Sequence, residues 1–205
     1  NHELAVRWYR KAAMQGHARA QCGLGGCYAN GWGVEKNYEL AVQWWQKAAE
    51  QDYRNAQYHL GECHYDGRGV DKNHELATQW FHKAAEQGHT RAKKFLAAEQ
   101  GDAKTQYGLG FDYYYGIDGV EEDKERAVHW YHKAAEQDHG RAQGYLGMCY
   151  VNGWGVEKNY ELAVQWYRKS AKQSNNVAQW NLGFCYENGH GVKKNEELAV
   201  RWYRK

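Results

Sequence analysis

Five cysteines are the residues of this chain best suited to metal binding or disulfide formation. Cys27, Cys63, Cys149 and Cys185 occupy one position of a repeated segment. Equivalent positions in stacked helical repeats lie about 10 Å apart, too far for a disulfide or a shared zinc ion. Cys22 lies five residues before Cys27, which directs the two side chains about 140° apart on a helix. We therefore predict buried free thiols, no metal site and no cofactor, and unpaired cysteines favour the cytoplasm.

Other candidates for catalysis lack the partners that catalysis needs. Ser170 and Ser174 are the two serines, and neither lies in a G-x-S-x-G or S-x-x-K motif. His129 and His132 form an i, i+3 pair, but the equivalent positions of other repeats carry polar residues that would face solvent. No third ligand or orienting carboxylate accompanies them. The sequence predicts that the chain is not an enzyme and has no catalytic residues.

Charge and hydropathy argue against two further classes of partner. The chain has 27 basic and 25 acidic residues, and the two signs are interleaved, so no basic face for nucleic acid is indicated. No apolar run approaches the length that spans a bilayer. We expect no nucleic-acid binding and no membrane insertion.

The candidate residues belong to a repeated passage with a period of 36 residues. NGWGVEKNYELAVQW occurs at 30–44 and again at 152–166. The Leu-Gly pairs at 24, 60, 109, 146 and 182 follow one another at steps of 36, 49, 37 and 36. A second AAEQG, at 97–101, accounts for 13 extra residues, and the longer turn GIDGV at 116–120 accounts for one more. A verbatim copy indicates a stacked structural unit, with one irregular joint near residues 92–105.

The pattern of each repeat predicts two helices joined by a glycine turn. In the sample unit, residues 20–30 form what we call the A-helix, and residues 37–51 form the B-helix, which begins at an N-cap asparagine. The apolar arc of the B-helix spans about 180°, so it must be covered from two sides. The pattern predicts an all-α solenoid of about five stacked antiparallel helix pairs in one domain, residues 1–205. Because both termini lie inside a repeat, we expect this domain to be a fragment of a longer array.

The pattern A-x-x-x-L-G-x-x-Y-x-x-G-x-G-V followed by A-x-x-W-Y-x-K-A-A-E-Q-G resembles the Sel1-like repeat (SLR) family, relatives of the tetratricopeptide repeats. The resemblance covers nearly the whole chain except residues 93–104, where we expect one short helix in place of a helix pair. It implies a right-handed α-α superhelix and an adaptor function in protein complexes, as in bacterial envelope and host-contact proteins and eukaryotic quality control.

One set of apolar residues lies on the A-helix face directed away from the core. Such residues would line the concave groove of a solenoid, and exposed aromatic side chains are favoured anchors at interfaces. We predict a non-catalytic scaffold that binds a protein or peptide segment there. The alternative is a glycan or cell-wall ligand stacked on the same rings, for which Glu62, Asp66, Asn181 and Glu187 would supply hydrogen bonds. The predicted partner-binding residues are Tyr58, Tyr65, Tyr107, Phe111, Tyr114, Met148, Trp180 and Phe184.

Overall fold

The computed structural model describes residues 1–117 and 120–205, and every regular element in these residues is an α-helix. The predicted all-α class is therefore confirmed. The lengthened turn predicted at residues 116–120 falls partly outside the described residues. The helices are α1 (His2–Met14), α2 (Ala18–Asn30), α3 (Tyr38–Ala49), α4 (Arg54–Asp66), α5 (His74–Glu86), α6 (Thr90–Glu99), α7 (Ala103–Tyr115), α8 (Lys124–Glu136), α9 (Gly140–Asn152), α10 (Tyr160–Lys172), α11 (Asn176–Asn188) and α12 (Glu196–Tyr203).

The helices form two compact units, Asn1–Leu96 and Ala97–Lys205. In the first unit, the A-helices α2 and α4 pair with the B-helices α3 and α5, while α1 packs on α2 and α3 packs on α4. In the second unit, α7, α9 and α11 pair with α8, α10 and α12, and the pairs stack through α8 on α9 and α10 on α11. The described residues thus contain the five predicted helix pairs. That the whole chain is one solenoid domain stays a prediction.

The irregular joint contains a single ten-residue helix, α6, as the sequence predicts. Within the first unit, Phe95 of this helix packs against Phe81 with ring centroids 4.2 Å apart, and against Tyr65 at 4.9 Å. Ala92 and Phe95 are both buried. The helix therefore contributes its own apolar side to the core of the first unit.

The ends of the helices follow the local signals in the sequence. The side chain of each N-cap residue of α3, α5, α8, α10 and α12 accepts the main-chain N–H three residues later at 2.8 to 3.0 Å. These caps supply partners for N–H groups that the helix leaves unpaired. Asn1 makes no such bond. The capping residues are Asn37, Asn73, Asp123, Asn159 and Asn195.

The glycine of each Leu-Gly pair allows a B-helix ring to lie on the A-helix backbone. A Cβ added at any of these glycines would lie 2.6 to 2.7 Å from an atom of that ring, closer than real Cβ contacts. The rings belong to Trp45, Phe81, Tyr131, Tyr167 and Tyr203. The close approach expected at Gly25 is therefore found at all five pairs.

A network of buried glutamines, which the sequence analysis missed, joins each helix pair to the helix before it. Four of these glutamines accept a hydrogen bond of 2.8 to 2.9 Å from a glutamine at the end of the following B-helix. Four donate to a main-chain carbonyl of the preceding helix at 2.8 to 3.2 Å. Gln21, Gln106 and Gln143 make both bonds and therefore join their own helix pair to the helix before it. The buried residues are Gln21, Gln57, Gln106, Gln143 and Gln179.

The five cysteines are free and buried, so the predicted buried thiols are confirmed. Burial raises the pKa of Cys22 and of Cys149 to about 12, and that of Cys185 to about 11. These side chains are therefore protonated, apolar parts of the core at neutral pH.

Candidate binding cleft

An open cleft of about 860 Å³ lies on the second unit, where α7, α9 and α11 and the turns before α9 and α11 meet. Gly144 of α9 lines it at the position where α7 carries Tyr107 and α11 carries Trp180. Because Gly144 has no side chain, space remains between the neighbouring A-helices. The middle helix of the cleft therefore lacks the large side chain that its two neighbours carry at this position.

Four aromatic rings line one side of the cleft. The ring centroids of Tyr107 and Phe111 lie 6.2 Å apart, and those of Phe111 and Tyr115 lie 4.6 Å apart. Tyr145 of α9 lies 5.8 Å from Tyr107 and 5.9 Å from Phe111, and its hydroxyl is 3.4 Å from that of Tyr115. The rings form a continuous apolar surface edged by hydroxyl groups, which suits a ligand with both apolar and polar groups.

The polar side of the cleft is built on two helix N-termini. His139 caps α9, because its Nδ1 accepts the Ala142 N–H at 3.2 Å, and its ring stacks on Tyr107 at 4.8 Å. Burial lowers the pKa of His139, which keeps the imidazole neutral. Asn175 caps α11 by accepting the Ala178 N–H at 3.1 Å. The amides of Gln173, Asn176 and Asn181 and the guanidinium of Arg141 complete the polar lining.

Three of the predicted partner-binding residues, Tyr107, Phe111 and Met148, line this cleft together. Trp180 and Phe184 lie outside the cleft lining, although they are 57% and 38% exposed on α11, with stacked rings 5.9 Å apart. From this helix, Val177 and Asn181 reach the cleft instead. The apolar stripe on α11 is therefore exposed, but its two rings do not face the same space as those of α7.

Two predicted groove residues, Tyr114 and Tyr58, are buried, so the expectation that they are open to a ligand is wrong. Tyr114 is 5% exposed because Trp154 of the next repeat lies 5.8 Å away and the Lys124 ammonium lies 3.6 Å from its ring centroid. Tyr58 is 3% exposed because His89 stacks on it at 4.5 Å.

Tyr65 is the remaining predicted residue, and it lies in the first unit. It is half-buried and meets Phe95 and His74 edge-on, with ring centroids 4.9 and 4.8 Å apart. Its ring therefore takes part in packing within that unit, and the cleft described above does not include it.

Tyr115, Tyr145 and Arg141 line the cleft but were not among the predicted partner-binding residues. A signal for Tyr145 was present, because the equivalent positions of other repeats carry Gly23, His59, Gly108 and Asn181. A single large ring among small and polar residues is an exception to the repeat pattern. Such exceptions indicate a local function better than the repeated positions do, because stacking alone does not require them.

A histidine cap like that of α9 begins α6 in the first unit and makes its stability sensitive to acid. His89 Nδ1 accepts the Ala92 N–H at 3.2 Å. Burial, and then the neighbouring charges of His59, Arg91 and Arg54, lower the pKa of His89 from 6.5 to about 4, although Glu62 opposes them. The fold therefore favours neutral His89, and this stabilisation is present above about pH 6.5 and lost as the pH falls toward 4.

We expect His89→Asn to reduce this loss, because asparagine can cap α6 but does not titrate. Between pH 7 and pH 4, the variant should lose about 1 to 2 kcal/mol less unfolding free energy than the parent, after allowance for solvent screening. Urea unfolding followed by circular dichroism at several pH values measures this difference. His82→Asn, on the exposed side of α5, is the matched control. Identical pH profiles for His89→Asn and the parent would contradict the assignment.

Within the described ranges, no group of three or more His, Cys, Asp or Glu side chains is placed to hold a metal ion. Among the same residues, no helix has both the length and the apolar character needed to cross a bilayer. The cleft is lined by aromatic rings, amides, one guanidinium, the His139 imidazole and aliphatic side chains such as Met148 and Val177.

The stacked helix pairs identify this chain as an α-helical repeat protein, and its second unit carries an open aromatic cleft. The Sel1 repeat model matches residues 1–17, 18–53, 54–89, 103–139, 140–175 and 176–205, and it leaves out the irregular joint. The chain belongs to the Sel1 repeat family, and the predicted SLR fold is confirmed. Sel1 repeat proteins are generally protein-interaction scaffolds and are typically non-catalytic.

Similar solved structures include other proteins of this kind. A protective antigen of uropathogenic Escherichia coli strains with an SLR fold is 33% identical, with a TM-score of 0.49. The match covers 100% of this chain, which spans 41% of that antigen. A Sel1 repeat protein from Oxalobacter formigenes is 34% identical, with a TM-score of 0.49 and coverage of 100% and 83%. An immunity protein from Pseudomonas aeruginosa is 25% identical, with a TM-score of 0.39 and coverage of 97% and 71%. A comparison with curated proteins finds no significant match.

Proposed function

We propose that this chain is a non-catalytic scaffold that binds an extended segment of a partner protein in the cleft of its second unit. The observation that carries this proposal is the row of partly exposed rings, Tyr107, Phe111, Tyr115 and Tyr145, beside a polar edge. Family membership supports the class of function, and the cleft supports the location.

The size of the cleft suits a short peptide. Its lining comes from three A-helices, and packed helices lie about 8 to 10 Å apart, so the cleft extends about 20 Å across them. An extended chain rises about 3.3 Å per residue, so about six residues of a partner would cross it. A segment of this length would bury several rings and leave its ends free.

The proposal predicts that Phe111→Ala combined with Tyr115→Ala weakens peptide binding about 30-fold or more while the fold persists. Peptides are first selected from a random display library on the parent protein, and their affinities are then measured for the variant. Loss of two interface anchors is worth about 2 kcal/mol or more, which is roughly a 30-fold loss of affinity. Phe111 is half-buried and Tyr115 exposed, so the melting temperature should fall only slightly.

Trp8→Ala is the control, because Trp8 is an exposed aromatic residue of α1 in the first unit. It should bind the selected peptides as the parent does. Retained affinity in the double variant, at unchanged stability, would move the binding surface elsewhere. Tyr114→Ala is unsuitable for this test, since truncation of a buried ring removes core packing.

A glycan ligand is the second candidate, and the amides beside the rings favour it. Asn176 and Asn181 line the cleft together with Tyr145 and Phe111, so hydrogen-bonding groups lie near aromatic faces. Sugar rings stack on aromatic faces and need such groups around the ring. A glycan array probed with the parent and with the double variant tests this alternative: specific binding lost in the variant would support it over the peptide.

A further inference from the structure

The charged side chains that line the cleft are of one sign, positive. Its fifteen lining residues include no Asp or Glu, and Arg141 is the one residue among them with a full charge at neutral pH. His139 also lines the cleft, but its Nδ1 accepts a main-chain N–H and its pKa is lowered by burial. A ligand in the cleft therefore meets one positive charge and no negative charge.

Arg141 has no salt bridge to a carboxylate within residues 1–117 and 120–205. Its charge opposes the rise in the Tyr107 pKa that burial causes, which places the guanidinium near the aromatic side of the cleft. The Asp102 carboxylate acts instead on His139, whose pKa it raises against the effect of burial, and it accepts the main-chain N–H groups of Lys104 and Thr105 and the Thr105 hydroxyl. Arg141 is exposed and has free donors for a carboxylate from another molecule.

The position of Arg141 favours an internal acidic side chain over a chain terminus. It lies on α9, the middle of the three helices that line the cleft, with Tyr107 and Phe111 on one side and Asn176 and Val177 on the other. A segment that crosses the three helices near the N-terminus of α9 would pass over Arg141. Its neighbouring residues would lie over the rings of α7 and the amides of α11.

We propose that the segment bound here carries an Asp or Glu side chain that pairs with Arg141, next to an aromatic or aliphatic side chain that packs on Tyr107, Phe111 and Tyr145. This inference rests on the proposed function and states the chemistry of the partner. A guanidinium beside aromatic rings binds carboxylates through charge-assisted hydrogen bonds, while the rings supply most of the contact area. Charge complementarity then distinguishes this partner from a purely apolar segment.

The test is peptide selection from one random library on the parent, on Arg141→Gln and on Arg141→Glu. The parent should enrich peptides in which an acidic residue is adjacent to an aromatic or aliphatic one. Replacing that acidic residue with its amide should weaken binding to the parent about tenfold or more, and should have little effect on binding to Arg141→Gln. Arg141→Glu should enrich lysine or arginine at the same place. Arg201→Glu, an exposed arginine of α12 outside the cleft, is the control and should select as the parent does.

The outcomes separate this inference from the proposed function. Equal acidic preference in the parent and in Arg141→Gln would overturn the inference. The inference would also be overturned if the selected peptides were apolar and their binding required Phe111 and Tyr115 but not Arg141. The proposed scaffold function would still hold in that case. Affinity that requires a free peptide C-terminus, lost on amidation, would show that a terminal carboxylate is bound and would also overturn the inference. If the selected peptides bind every cleft variant with the same affinity as the parent, the proposed function itself is contradicted.

Discussion

Gly155→Ala is expected to destabilise the second unit by about 3 kcal/mol, the sum of a backbone cost and a steric cost. Gly155 is the second glycine of its G-x-G turn and has φ of +69°, a left-handed conformation that costs an L-residue about 1 to 2 kcal/mol. An added Cβ would overlap the main-chain carbonyl of Lys124, at the start of the preceding B-helix, well inside 3.0 Å. Main-chain atoms cannot move aside without separating the two repeats.

Gly153→Ala, in the same turn, isolates the steric part of this effect. Gly153 has φ of +73°, but an added Cβ would meet no atom closer than 3.6 Å. Gly153→Ala should therefore lose only about 1 to 2 kcal/mol of unfolding free energy, which is what the left-handed backbone costs an L-residue. Urea unfolding of both variants, followed by circular dichroism, measures the difference. Equal losses would mean that the turn tolerates the contact with Lys124 and that the repeats do not depend on it.

Gln143→Leu is expected to cost about 3 kcal/mol, because it leaves buried polar groups without partners. Gln143 is fully buried and donates to the Ala135 carbonyl and the Asp138 carboxylate, both at 3.2 Å. It also accepts the Gln173 Nε2 at 2.9 Å. Leucine has a similar size but can neither donate nor accept, so the loss comes from hydrogen bonding and not from a cavity.

Gln179→Leu is the matched control, because this glutamine occupies the equivalent position of α11 with fewer bonds. It donates to the Ala171 carbonyl at 3.2 Å, while its Oε1 has no hydrogen-bond partner among the described residues. The same substitution should therefore cost about 1 to 2 kcal/mol. Thermal or urea unfolding of the two variants provides the comparison. A loss at Gln179 as large as that at Gln143 would assign the effect to side-chain shape and not to the network.

Sequence alone identified the features that one repeat or one helix end encodes. Asn37 and its equivalents cap B-helices because a cap depends on atoms within three residues. Gly25 and its equivalents bring the A-helix and B-helix of one repeat together, and the period places them in register. The second AAEQG segment likewise predicted the single helix α6. Each of these inferences requires only neighbouring residues or comparison of one repeat with the next.

Only the tertiary structure decided which apolar A-helix residues are open to a ligand. Helical spacing placed Tyr107, Phe111 and Tyr114 on one face, but Trp154 of the following repeat covers Tyr114. Exposure depends on side chains contributed by other repeats, and the spacing within one helix does not contain them. The same reason explains Gly155, which the sequence identified as a turn residue and the structure shows to be a contact between repeats. Arg141 became a candidate only when the cleft lining proved to hold no carboxylate.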